Sequence, residues 1–101
     1  MTFDAFKDSL SQATPPAGLP PLLAALWHDA RGDWARAHNI TQDIESSDAA
    51  WVHAYLHRKE GDLGNAGYWY RHAGRQSATD GLDAEWERIV RAFLALRRLD
   101  L

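Results

Sequence analysis

Two Gly-Asp steps, Gly32-Asp33 and Gly61-Asp62, divide the middle of this chain into helical stretches and oblige it to fold as tight helical hairpins. A glycine takes the left-handed conformation that ends a helix, and an aspartate directly after it can accept from the free N–H groups opening the next. The residues around each step align at an offset of 29: His28-Asp-Ala-Arg-Gly-Asp-Trp-Ala-Arg-Ala37 lies over His57-Arg-Lys-Glu-Gly-Asp-Leu-Gly-Asn-Ala66, sharing His, Gly, Asp and Ala. Repeated hairpins stack because neither buries its apolar face alone.

The flanking segments are helical by periodicity as well. Phe3, Phe6, Leu10 and Ala13 share a face over residues 3–13, with Thr2 as the N-cap. Pro15-Pro16 breaks that helix, and Pro20-Pro21 suits the first turn of the next. The first hairpin (19–45) carries Leu22, Leu23, Leu26, Trp27 and Ala30, then Trp34, Ala37, Ile40, Thr41 and Ile44. In the second (47–74), Ser47 or Asp48 caps a helix holding Ala50, Trp51, Ala54 and Tyr55. Its partner places Leu63, Ala66, Gly67, Tyr70, Ala73 and Gly74 on one face, where small residues would admit a neighbouring helix closely. Of Tyr68-Trp69-Tyr70, Tyr70 points inward, and Tyr68 or Trp69 seals against the final helix or stays partly exposed. A long capping helix (80–101) follows, with Leu82, Trp86, Ile89, Val90, Phe93 and Leu96 inward and Glu85, Glu87, Arg88, Arg91, Arg97 and Arg98 on its wet side. No stretch alternates apolar and polar residues in strand fashion, so the expectation is one all-α domain over 1–101 with about six helices.

Composition narrows the function classes. The 101 residues carry a net charge of −3, against general nucleic-acid binding, and the basic excess of the second half is slight. With no Cys, disulfides and thiolate metal sites are excluded. No leader pattern or membrane-length apolar run is visible, so a cytoplasmic protein without membrane contact is expected. There is no Gly-x-Ser-x-Gly, phosphate loop or Cys nucleophile, and the expectation is that the chain is not an enzyme.

In its Gly-Asp-aromatic turn and in the Ala three positions after the aromatic, the chain resembles the tetratricopeptide-repeat family. Gly32, Asp33, Trp34 and Ala37 carry the pattern in the first unit; Gly61, Asp62, Leu63, Ala66, Tyr70 and Ala73 carry it in the second. The likeness covers roughly residues 19–74. It departs in a period about five residues short of the usual ~34, in Ala25 and His28, then Ala54 and His57, at the first-helix Gly and aromatic positions, and in lacking a closing Pro. Residues 51–74 also look like segments of bacterial proteins of unknown function.

The resemblance implies a groove lined by the first helix of each unit: Leu22, Leu26 and Asp29, then Trp51, Tyr55, Arg58 and Lys59. Two cations beside two aromatics would hold an acidic or carboxylate-ended peptide, so a protein or peptide partner, a second copy included, is the leading expectation. The competing one is a metal- or small-ligand-binding protein, an enzyme among its forms, centred on His53, His57 and Glu60. His53 and His57 stand at i, i+4, the spacing that lets two imidazoles share an ion, with Glu60 one turn on and His28 at the matching place in the first hairpin. A clear third ligand is missing, so the bland reading prevails: no metal, no cofactor, and histidines that hydrogen-bond near the inter-hairpin seam.

Overall fold

Nine consecutive residues, Ala49–His57, are buried, which makes their helix the axis of the molecule. A helix apolar all round belongs at the centre of a bundle. The computed structural model describes residues 1–99, with side chains to Leu96. Its helices are α1 (Phe3–Asp8), α2 (Pro21–Ala30), α3 (Trp34–Gln42), α4 (Ser47–Glu60), α5 (Leu63–His72) and α6 (Leu82–Leu99), with a 3₁₀ turn at Ser9–Ser11. The domain is all-α, with no strand among the described residues. α2 and α3 form one hairpin, α4 and α5 another, α3 packs on α4, and α6 closes over α1, α2 and α4.

Local chemistry sets the joints. Gly32 and Gly61 take φ of 85° and 89°, and the aspartate after each accepts from the backbone N–H three residues on, Arg36 and Asn65. Thr2 accepts from Ala5 in the same way at the start of α1. The cap of α4 is Ser46, which accepts from Ala49, one residue before the expected Ser47 or Asp48.

Tertiary bonding by indoles ties the elements. Trp27 donates to Ser9 Oγ at 3.2 Å, Trp34 to the Leu56 carbonyl at 2.8 Å, and Trp86 to the Leu26 carbonyl at 3.0 Å. Each buries a large apolar body without orphaning its N–H. Phe3 and Phe6 sit against Trp86, so α1 is held by α6.

Several expectations need correction. The first helix stops at Asp8 and a 3₁₀ turn, because Ser9 and Ser11 bond back to the carbonyls of Phe6 and Asp8. α3 ends at Gln42, short of residue 45. Leu63 is 70% exposed, so it is no inward anchor. A Cβ on Gly67 would meet only the flexible end of Arg71, and one on Gly64 or Gly74 would meet nothing; no helix exploits these small residues. Of the aromatic pair, Tyr68 stays exposed at 47%, one of the two expected outcomes, and the half-buried Trp69 stacks on His53 of α4. Glu85, expected on the wet side, is completely buried, whereas Leu96 is 47% exposed. The expected outward placement of Arg97 and Arg98 lies outside the described side chains.

Candidate metal centre

The expected groove does not open. Leu26, Asp29, Trp51 and Tyr55 are buried and Leu22 is half-buried. α6 lies across the supposed surface: Trp51 meets Phe93 edge-on at 6.0 Å and donates to Glu85 at 3.4 Å. The two cations are consumed internally. Arg58 donates to Glu85 Oε1 at 2.9 Å and also to the Asp80 carbonyl. Lys59 reaches Asp29 Oδ1 at 3.1 Å. Burial pushes the Asp29 carboxyl up and the Lys59 ammonium opposes that rise. Burial, then the Asp29 carboxylate, holds the Tyr55 phenol protonated, and burial with the Glu85 bond does the same for Tyr70. These are internal staples between α2, α4, α5 and α6; Arg58 is paired within the fold, and Asp29, Tyr55 and Lys59 of the expected groove edge a hollow of about 290 Å³.

The histidines behave differently. His53 and His57 lie one turn apart on α4 with rings stacked, centroids 4.8 Å apart. α3 supplies what the α4 pair lacked. His38 Nε2 lies 3.0 Å from His53 Nε2, and one ring nitrogen of each of His38, His53 and His57 falls within 4.8 Å of the other two. His28, on α2, is not in the cluster. Two indoles bracket the group: Trp34 stacks on His38 at 4.9 Å and 11°, and Trp69 stacks on His53 at 4.0 Å and 12°. Since Trp34 is itself bonded to the Leu56 carbonyl, the ring that orients His38 is anchored to α4.

The remaining partners sort by nitrogen. Glu60 Oε1 is 2.6 Å from His57 Nδ1, which assigns the proton to that nitrogen. His57 Nε2 then carries a lone pair, accepting from Asn65 Nδ2 at 3.3 Å. Glu60 is therefore on the far edge of the ring from Nε2, and a carboxylate so placed is what orients imidazoles at metal sites. His57, Glu60 and Asp62 also converge, but around an exposed turn.

Electrostatics favour free lone pairs. Burial, followed by the neighbouring His38 and His57 rings, lowers His53 to about 4. Burial also lowers His38, against the pull of Glu60. Uncharged imidazole is the ligating form. His38 was missed because it lies on a different helix from the pair. The available signal was its position four residues after Trp34, beside the inward Ala37 and Thr41.

Fold and site together define an all-α domain of two helical hairpins with a three-imidazole cluster at the seam where α3 meets α4. Comparison with family models, curated proteins and solved structures finds no match to this chain.

Proposed function

We propose that this protein is a non-catalytic helical domain that binds a late first-row divalent ion, of the zinc class, through His38, His53 and His57. The observation that carries the reading is the convergence of three ring nitrogens from two helices within 4.8 Å. Tetrahedral coordination with Zn–N of about 2.0–2.1 Å needs nitrogens about 3.3 Å apart. The 3.0 Å between His38 and His53 is close to that, and a ring nitrogen of His57 lies within 4.8 Å of both. An ion would occupy the place of the proton now shared between those two rings. Imidazole donors without carboxylate in the first sphere suit Zn, Ni, Cu or Co over Mg or Ca. Binding would clamp α3 to α4 and so fix one hairpin on the other. The likeness of these hairpins to a shortened tetratricopeptide repeat, carried by the paired Gly-Asp turns, belongs to the same proposal: the stack supplies the seam.

Zinc titration of the metal-stripped protein, read by thermal melting, tests this. At a hundredfold excess over Kd the ion adds about 2.7 kcal/mol, which for a domain this size raises Tm by roughly 10–20 °C. His38→Ala should abolish the rise. No response of the wild type to Zn²⁺, Co²⁺ or Ni²⁺ refutes the reading.

A role in binding protein retains a different surface from the one expected. An apolar hollow of about 410 Å³ is lined by Pro20, Pro21, Leu22, Leu23, Ile44, Phe93 and the exposed Leu96, with Asp48 at its edge. An apolar segment of a second copy would suit it, and light scattering of wild type against Leu96→Glu reads that directly: equal masses at all concentrations dismiss it.

A further inference from the structure

Resting on the metal reading above, we propose that the three-imidazole site completes its coordination with a small exogenous anion of the carboxylate or azide class, and that Asn65 donates a hydrogen bond to that anion. The ligand set is short by one. Among the described residues, the group holding His38, His53 and His57 contains no fourth His, Cys, Asp or Glu. Glu60 cannot swing in without giving up His57 Nδ1, which it holds at 2.6 Å.

Charge selects the class of ligand. Three neutral imidazoles leave a divalent ion's charge uncompensated at a seam where His53 and His57 are buried. A charge removed from water is costly unless a counter-charge accompanies it. An anion as fourth ligand supplies that counter-charge directly, which a fourth neutral donor would not.

Geometry selects Asn65. Its Nδ2 lies 3.3 Å from His57 Nε2, the nitrogen that would bind the ion. An ion on that lone pair would displace the amide N–H, which then needs another acceptor beside the ion. A fourth ligand on the ion would be such an acceptor. Asn65 is exposed at the start of α5, where its backbone N–H is already capped by Asp62, so its side chain is free for this. The site can be approached from solvent: His38 is only half-buried, and Glu60 and Asn65 beside His57 are exposed.

Cobalt(II) is the probe, because its visible absorption reports both binding and coordination number. The full chain is stripped of metal, loaded with Co²⁺, and titrated with sodium azide and then sodium acetate. A saturable spectral change with each anion is expected. Asn65→Ala should bind Co²⁺ as the wild type does but weaken the anion by roughly tenfold, the worth of one hydrogen bond to a charged group. Asn65→Asp, which brings its own carboxylate, should lose the anion response while keeping Co²⁺. The outcomes separate the two readings. Failure of the wild type to bind Co²⁺ overturns the metal site itself. Co²⁺ binding with a spectrum indifferent to anions overturns the fourth-ligand proposal alone. An anion response unchanged in Asn65→Ala overturns the part assigned to Asn65.

Discussion

Removing the Glu85 carboxylate should cost this domain about 5 kcal/mol, a large share of the ~5–15 kcal/mol that holds a protein of this size. Glu85 is completely buried. It accepts from Arg58 at 2.9 Å, from the Tyr70 hydroxyl at 2.6 Å and from Trp51 at 3.4 Å. In Glu85→Ala the Arg58 guanidinium, whose side chain is 15% exposed, is left without its counter-ion. Breaking a buried pair from one side costs about 3–5 kcal/mol. The bond Arg58 keeps to the Asp80 carbonyl places the figure toward the lower end of that range. The orphaned Tyr70 phenol adds about 1 kcal/mol, and lost methylene packing adds about 1 kcal/mol. With a urea slope of about 1–3 kcal/mol/M, the unfolding midpoint should fall by about 1.5 M or more. A double-mutant cycle then isolates the pair: Arg58→Met should be costly in the wild type and neutral or favourable beside Glu85→Ala, a coupling of at least about 2 kcal/mol. A Glu85→Ala cost under about 1 kcal/mol, or an Arg58→Met cost equal in both backgrounds, would show that Arg58 is a free surface cation after all. The expected peptide groove would then be reinstated.

Three further outcomes follow from the same contacts. In the metal-free protein, stability should fall as pH drops from about 6.5 toward 4, because His53 is lowered to about 4 from the ordinary 6.5; a depressed histidine favours the fold above its unfolded pKa and loses that contribution on protonation. The span is about 3 kcal/mol, and His53→Leu should flatten that part of a pH series of urea midpoints; an unchanged slope rejects the assignment. Gly61→Ala should cost about 1–2 kcal/mol in the melting curve through its φ of 89° alone, since a Cβ there meets no neighbour; a neutral result would mean the turn relaxes. Trp34→Phe, which keeps a ring near His38 but deletes the donor to Leu56, should cost about 1 kcal/mol and weaken Zn²⁺ binding several-fold by freeing His38; unchanged affinity in a competition titration would dissociate the indole from the site.

What was legible in the sequence was what is local. The caps at Thr2, Asp33 and Asp62 and the turns at Gly32 and Gly61 depend on residues within one turn of each other, so residue type and spacing suffice. The inward stripe of α6 follows from periodicity, since Trp86, Ile89, Val90 and Phe93 are all buried. Glu85 could not be read that way. An acid in the first turn of a helix satisfies the dipole whether wet or dry, and only the approach of Arg58 and Tyr70 from two other helices decides. Tyr55, Trp51 and Arg58 failed as groove residues for a related reason. The face of α4 they share was taken as open, and α6, which covers part of it, is placed by contacts over long sequence separations. The α4 histidines were visible as a pair; the third was not, because its approach depends on how α3 is rotated against α4.

The cluster also stands out energetically from its surroundings. Apart from Thr41, which bonds the Ala37 carbonyl of its own helix, the other buried polar side chains among the described residues close a staple: Asp29 on Lys59, Glu85 on Arg58 and Tyr70, Ser9 between Phe6 and Trp27. In each, removing a member strands a charge or donor. His38 and His53 share one proton between two like rings, and burial drives both toward the uncharged form. Aliphatic or aromatic side chains at those positions would fill the space between Trp34 and Trp69 at no desolvation cost. A site where packing alone would favour different residues is one where sequence and stability disagree, and such disagreements concentrate where a protein binds something. Two imidazoles held toward the uncharged form by burial, and a third whose ring Glu60 holds by its Nδ1, bring their nitrogens within 4.8 Å of one another, an arrangement that suits an ion better than a core.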